Sequence, residues 1–317
     1  MEKKDTNRIL SSQDISQEKL EKLIETASIL ERSFQSGKRV SLLNGKIIAI
    51  LFFEPSTRTR FSFESSVLRL GGQVLSLESG VASSIEKGES YSDMGNIISG
   101  YCDAIAIRHS SSQAIRDFAS GCNVPVINAG DGANEHPTQA LLDMFTIYKE
   151  KGCFDNLKIG LVGDLRYGRT IHSLVCFLKY YKNSIYFISP ENLRLPNEIK
   201  QDLVESGCQI HELSSLDNIV DELDVIYSTR MQKERMEQPH ALYNLKKDSY
   251  EINLNIVSKM KSDAIILHPL PRVDEISQEV DKDKRACYFK QAQNGLYMRM
   301  SLLCELLSDT KILYDNS

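Results

Sequence analysis

No stretch of the 317-residue chain approaches the roughly 18 consecutive apolar residues of a membrane-spanning helix, so a membrane protein of that kind is excluded. The opening residues, MEKKDTNRIL, lack the apolar core of a secretory signal, and a cytoplasmic location is expected. Nor do the cysteines form pairs. Cys102, Cys122, Cys153, Cys176, Cys208, Cys287 and Cys304 are scattered without C-x-x-C spacing, which argues against zinc and disulfides and for reduced, mostly buried thiols. An excess of positive charge is also missing: 38 Lys and Arg against 43 Asp and Glu leave a net charge of −5. Such a chain repels a phosphate backbone on average, so nucleic acid is not an expected partner. Any anion site must therefore concentrate positive charge locally. What the chain has is length, more than one hydrophobic core usually supports, and two domains are expected.

The stretch from Lys46 to Gly72, KIIAILFFEPSTRTRFSFESSVLRLGG, carries most of the functional signal. Ile47 to Phe53 is an unbroken apolar run suited to a strand buried on both faces of a parallel sheet. Pro55 ends the ladder because it has no N–H to donate. Phe63, Val67 and Leu70 then mark one face of a helix closed by Gly71-Gly72. Between strand and helix lies Ser56-Thr57-Arg58-Thr59-Arg60. Helix-start N–H groups and the positive end of the helix dipole favour an anion there, and hydroxyls and guanidiniums add donors that match phosphate or carboxylate. Taken alone, the same cluster is equally a capped helix start with solvated arginines. Its neighbours in the chain decide between these readings.

Further along, strands at Gln73–Leu77, Asp103–Ile107 and Val124–Asn128 alternate with helices at Tyr91–Tyr101 and Ser111–Ser120, the order of a parallel sheet with helices on both faces. The polar loop SLESGVASSIEKGESYSD, with Ser83, Ser84 and Lys87, is longer than an ordinary connection and is expected to be functional or disordered. Arg108 ends one strand, and His136 and Gln139 stand at the start of the helix that Pro137 opens. Residues 151–157 read as a junction. A second alternating series follows, with strands at Lys158–Val162, Ser184–Ile188, Gln209–Glu212, Asp224–Tyr227 and Ala264–Leu267. The turn GDLRYGRT lacks the G-x-G-x-x-G spacing of a dinucleotide loop, and Arg169 within it suits a carboxylate. Arg230, Gln232, Lys233 and Arg235 follow another strand. The last strand runs into HPLPR, His268 to Arg272, whose prolines stiffen the backbone so that its carbonyls can accept from a substrate amine. The expected fold is α/β, two doubly wound parallel sheets over residues 1–150 and 151–292, with a closing helix at 293–310 that packs back on the first. The site is expected in the cleft between them.

Taken in order, FFEPSTRTRFSFE, EKGES, DAIAIRH, DGANEHPTQALLD, GDLRYGRTIHS, STRMQKER and HPLPR resemble the carbamoyltransferases over nearly the whole chain, and among them the aspartate carbamoyltransferase catalytic chains. The first half, with STRTR, Arg108 and HPTQ, is common to the group and implies carbamoyl phosphate binding. Pro269 in HPLPR, where ornithine enzymes carry a cysteine, and the TRMQKER run imply aspartate. The charges agree, since Arg169, Arg230 and Gln232 suit a dicarboxylate and would repel a cationic ornithine side chain.

The resemblance implies that Ser56, Thr57, Arg58, Thr59 and Arg108 hold the phosphate of carbamoyl phosphate. Thr59, Arg108 and His136 would polarise its carbonyl, while Gln139 and the Leu270 and Pro271 carbonyls orient its amide. Arg169, Arg230 and Gln232 would hold aspartate, together with Lys87. The amine then attacks and phosphate leaves, with the departing phosphate or His136 as proton acceptor. No metal and no organic cofactor is implied. Ser83, with Ser84 as the alternative, and Lys87 are expected to enter a neighbouring subunit's site in a homotrimer, to which regulatory chains or pathway enzymes could be added. The implied place is an early step of pyrimidine biosynthesis.

Overall fold

The computed structural model describes residues 8–78, 88–232 and 250–308, and the chain divides into two compact units, 1–141 with 294–317 and 142–293.

In the first unit, α1 (Gln17–Gln35) leads to β1 (Ile47–Phe52), α2 (Thr57–Arg69), β2 (Gln73–Glu78), α3 (Tyr91–Ile98), β3 (Ala104–His109), α4 (Ser112–Gly121) and β4 (Val126–Asp131). The four strands are parallel in the order β2-β1-β3-β4. Ile48 to Phe52 are no more than 3% exposed, as expected of a strand covered on both faces. From β1 the chain moves outward to β2 and then crosses back to β3. The winding direction therefore reverses between β1 and β3, and a ligand crevice belongs outside the carboxyl ends of those strands. The edge next to β4 is extended by the N-terminal segment: Ile9 bridges Ile127, donating to Val126 O at 2.9 Å and accepting from Asn128 N at 2.8 Å.

Helix α5 (Pro137–Lys151) follows, and the unit boundary falls inside it. The second unit holds β5 (Lys158–Gly163), α6 (Arg169–Leu178), β6 (Ser184–Ile188), α7 (Asn197–Glu205), β7 (Gln209–Leu213), β8 (Val225–Thr229), α8 (Leu254–Lys259) and β9 (Ile265–Leu267). Its parallel order is β7-β6-β5-β8-β9, so the winding reverses between β5 and β8. Helix α9 (Tyr288–Leu307) begins in this unit and ends in the first. There Ser301 Oγ donates to Leu23 O at 2.7 Å, and Ser66 Oγ of α2 donates to Leu296 O at 3.0 Å.

Helix α9 begins at Tyr288, five residues ahead of the expected 293, and two further elements differ from the sequence reading for clear reasons. Strand β4 runs to Asp131 because a register shift between Ile107 and His109 lets Asp131 pair with His109, beyond the apolar run that marked the strand. Helix α7 buries only Leu203 fully, so its periodic apolar signal is weak.

Candidate active site

The first-unit site is built at the β1–β3 reversal. Phe52 pairs in register with Arg108, and Phe53 N donates to Arg108 O at 2.9 Å. The start of α2 and the end of β3 are thereby neighbours. Ser56 occupies the N-cap in an extended conformation, but its side chain makes no capping hydrogen bond. The first-turn N–H groups, the dipole and the Ser56 hydroxyl all face the same end of the helix. Thr59 is 8% exposed.

The two arginines of the cluster part company. Arg60 Nε lies 3.1 Å from Glu64 Oε1, and its Nη1 pairs with Glu78. The hydrogen bond that Arg60 donates to Glu78 leads the causes that raise its pKa. Arg58 is accessible to solvent, yet the protein around it desolvates the guanidinium and lowers its pKa. Residues two apart on a helix point to nearly opposite sides, so Arg60 meets the acids while Arg58 points away from them. The sequence offers both guanidiniums as donors to an anion; in the structure Arg60 is engaged by Glu64 and Glu78.

Arg108 is 7% exposed, lies 3.0 Å from Glu54 Oε2 and donates to Ala129 O at 3.5 Å. His136, 4% exposed, precedes α5 and accepts through its carbonyl from Gln139 N at 2.9 Å and Ala140 N at 3.2 Å. The two side chains flank Gly130, whose φ of +122° favours glycine. A Cβ there would lie 2.9 Å from Arg108 Nη1 and 3.5 Å from His136 Cδ2. A side chain at this position would intrude on both, so glycine is required. Gln139 is buried close by in sequence, on the first turn of α5.

Three supports for these groups were not identified from sequence. Asp131 closes the turn before His136, accepting from Glu135 N at 2.5 Å and Asn134 Nδ2 at 3.0 Å. Glu135 accepts from Ser11 Oγ and Ser12 N, both at 2.7 Å. Arg299, 3% exposed on α9, donates to Ser62 Oγ of α2 at 2.9 Å and to Thr138 Oγ1 of α5 at 3.4 Å, and so ties together the two helices whose starts carry Arg58 and His136.

The second-unit site repeats the plan at the β5–β8 reversal. Gly163 pairs with Thr229, placing the turn 164–168 beside Arg230. A Cβ on Gly163, at φ +113°, would lie 2.2 Å from Thr229 O, so glycine lets the two strand ends close up. Asp164, fully buried, accepts from Tyr167 N at 2.9 Å, Arg166 N at 3.2 Å and Gln232 N at 3.1 Å. Burial raises its pKa against the pull of these donors. Gln232 Nε2 donates to Tyr167 O at 2.8 Å. One carboxylate thus fixes both loops that bear Arg169, Arg230 and Gln232. Arg169 opens α6, and both arginines are half-buried.

HPLPR follows β9, which pairs with β8 through Leu267 and Tyr227. His268 Nδ1 accepts from Leu270 N at 2.8 Å, and Nε2 lies 2.7 Å from Glu275 Oε1. Glu275 also accepts from Val273 N and Asp274 N. Burial pushes the Glu275 carboxyl upward, but His268 and the backbone donors more than offset it and leave its pKa lowered. The turn holds Leu270 at φ +53°, with a cis bond to Pro271. Arg272 pairs with Asp281 and Tyr288, a structural role. Ser83, Ser84, Lys87, Lys233 and Arg235 lie outside the described residues. Among the described residues, no group of three or more His, Cys, Asp or Glu side chains is placed to hold a metal ion.

Parallel α/β units with cationic and hydroxyl side chains gathered at their winding reversals define a class of protein that binds anionic ligands at strand ends. The chain belongs to the aspartate/ornithine carbamoyltransferase family: residues 7–149 match its carbamoyl-P binding domain and residues 155–306 its Asp/Orn binding domain. It is 48% identical over 301 residues to the aspartate carbamoyltransferase catalytic subunit of Methanothrix thermoacetophila, covering 95% of this chain and 98% of that one. Among solved structures it is similar to the catalytic subunit of Methanocaldococcus jannaschii aspartate transcarbamoylase, with a TM-score of 0.88, 44% identity, and coverage of 98% and 99%. It is also similar to aspartate transcarbamoylase from Trypanosoma cruzi in complex with N-(phosphonacetyl)-L-aspartic acid, with a TM-score of 0.90, 38% identity, and coverage of 96% and 97%.

Proposed function

We propose that this carbamoyltransferase moves the carbamoyl group of carbamoyl phosphate to the amine of L-aspartate, giving N-carbamoyl-L-aspartate and phosphate, an early step of pyrimidine biosynthesis. The observation that carries the reading is the flanking of Gly130 by Arg108 and His136 beside the uncapped start of α2. Ser56, Thr57, Arg58, Thr59 and Arg108 bind the phosphate. Thr59, Arg108 and His136 donate to the carbamoyl oxygen as it gains charge, and Gln139 with the Leu270 and Pro271 carbonyls orients the amide. Arg169, Arg230 and Gln232 hold the two carboxylates of aspartate. The attacking amine loses its proton to the departing phosphate or to His136. We assign the carbamoyl phosphate half to residues 1–150 with residues 293–310, and the aspartate half to 151–292.

The same reading makes the active unit a cytoplasmic homotrimer in which Ser83 or Ser84 and Lys87 complete a neighbour's site. Exposed Phe61, Leu68 and Leu75, at 57%, 62% and 44%, are consistent with a surface covered by another copy. The test is to offer the purified chain carbamoyl phosphate with aspartate, ornithine or N-acetylornithine. Carbamoyl aspartate is the expected product, and its absence overturns the reading.

A further inference from the structure

The three segments of the second unit that carry candidate ligands converge on one carboxylate outside the site itself. Asp143 of α5 is fully buried and accepts from Tyr227 Oη at 2.9 Å and from Gln291 Nε2 at 2.6 Å. Tyr227 is fully buried on β8, three residues before Arg230, and Thr170, next to Arg169 at the start of α6, hydrogen-bonds to its hydroxyl. Gln291 in turn accepts at Oε1 from His268 N at 2.8 Å, where β9 passes into HPLPR.

Each link has its direction fixed. Gln291 must turn its oxygen to the His268 N–H, which leaves its NH2 for Asp143. Asp143 accepts at both carboxyl oxygens. Tyr227 can then satisfy it only by donating, and takes the Thr170 hydrogen on its own oxygen. Turning Gln291 over would set its NH2 against the His268 N–H and its oxygen against Asp143, and turning the Tyr227 hydrogen away would leave two acceptor oxygens facing, so the arrangement has one solution. Hydrogen bonds to a buried charge are short and strong, and their loss is costly because water cannot replace them.

We propose that Asp143 is a positioning residue for the amino-acid substrate: as the shared acceptor of Tyr227 and Gln291 it fixes the start of α6, the end of β8 and the entrance to HPLPR in one arrangement. It touches no substrate and takes no part in proton transfer. This rests on Arg169, Arg230 and HPLPR being the ligands proposed above.

Asp143→Asn keeps the shape and leaves no cavity, but replaces one acceptor oxygen with a donor. Steady-state kinetics of the full chain are compared with binding of inorganic phosphate, whose ligands lie in the first unit. The expected result is an aspartate KM raised roughly ten- to hundredfold, the size of one hydrogen bond to a charged group, with phosphate affinity within about twofold of wild type. Tyr227→Phe removes one donor without changing shape and should raise the aspartate KM in the same direction, so it decides the matter if the Asn variant does not fold. Because Tyr227→Phe removes one of the two bonds that Asp143→Asn disturbs, the double variant should be less damaging than the two single effects added together. An unchanged aspartate KM in the folded variants overturns the proposal, as does an equal loss of aspartate and phosphate affinity. If the wild type carbamoylates a different amine, the substrate reading fails by itself, and the same comparison run with that amine supports or overturns the role of Asp143.

Discussion

The Arg108 guanidinium lies 3.0 Å from the Glu54 carboxylate, where β1 and β3 end side by side. Arg108 is nearly buried and Glu54 partly so, at side-chain exposures of 9% and 27%. A phosphate that reaches Arg108 must compete with a carboxylate already in place. Glu54→Gln keeps the shape and removes that competition. Inorganic phosphate should bind the variant about fivefold more tightly, roughly 1 kcal/mol, as measured by titration calorimetry. Equal or weaker binding would mean that the pair chiefly holds Arg108 in position.

Arg58 and Arg60 should behave very differently despite their spacing. Arg58→Ala should lower kcat by about a hundredfold or more, roughly 3 kcal/mol, while leaving the fold intact. Arg60 is engaged by Glu64 and Glu78. Arg60→Ala should change kcat by less than about threefold and cost little stability, as is usual for solvent-screened ion pairs. Near-normal kinetics in the first variant would refute its place in the phosphate site.

A pH dependence follows from Glu275. Its pKa is lowered in the folded chain, since His268 and the backbone donors outweigh burial. A carboxylate of lowered pKa contributes stability that is present above its unfolded value of 4.5 and is lost as pH falls through the folded value. Glu275→Gln should therefore be less stable than wild type at neutral pH, and the gap should narrow below pH 4.5. Thermal unfolding across pH 3 to 7 measures this; a gap independent of pH would remove the His268 pair from the account.

Leu68 and Phe61 stand on the outer face of α2, exposed at 62% and 57%. If another copy covers them, Leu68→Glu should shift the chain to monomer in sedimentation without unfolding it, since an exposed charge costs a lone helix little. Activity should fall with it if sites are shared. A variant that sediments as wild type would place the interface elsewhere.

The strand–turn–helix units were legible because apolar runs and helical periodicity are local, and so was the gathering of Arg108, His136 and the Ser56 cluster at strand ends. Arg60's pairing with Glu64, four residues along α2, could be read from the helical register, but its second partner, Glu78 at the end of β2, could not. Arg299 could not be read, because its connection of α2 to α5 depends on a helix more than 150 residues farther along. Asp164 was visible as the residue after an apolar run, but its three backbone donors come from two separate loops. The same is true of Asp143 and Gln291, which look in sequence like ordinary polar positions on helices.

The contact of Ser11 and Ser12 with Glu135, together with the Ile9 bridge to β4, has a practical consequence for handling the protein. Trimming the chain to begin beyond Ser12 would uncover a sheet edge and release the turn that presents His136. Affinity tags are therefore better added ahead of Ile9 than in place of the residues that make these contacts. Protease nicking near residue 10 should abolish turnover before it abolishes the fold.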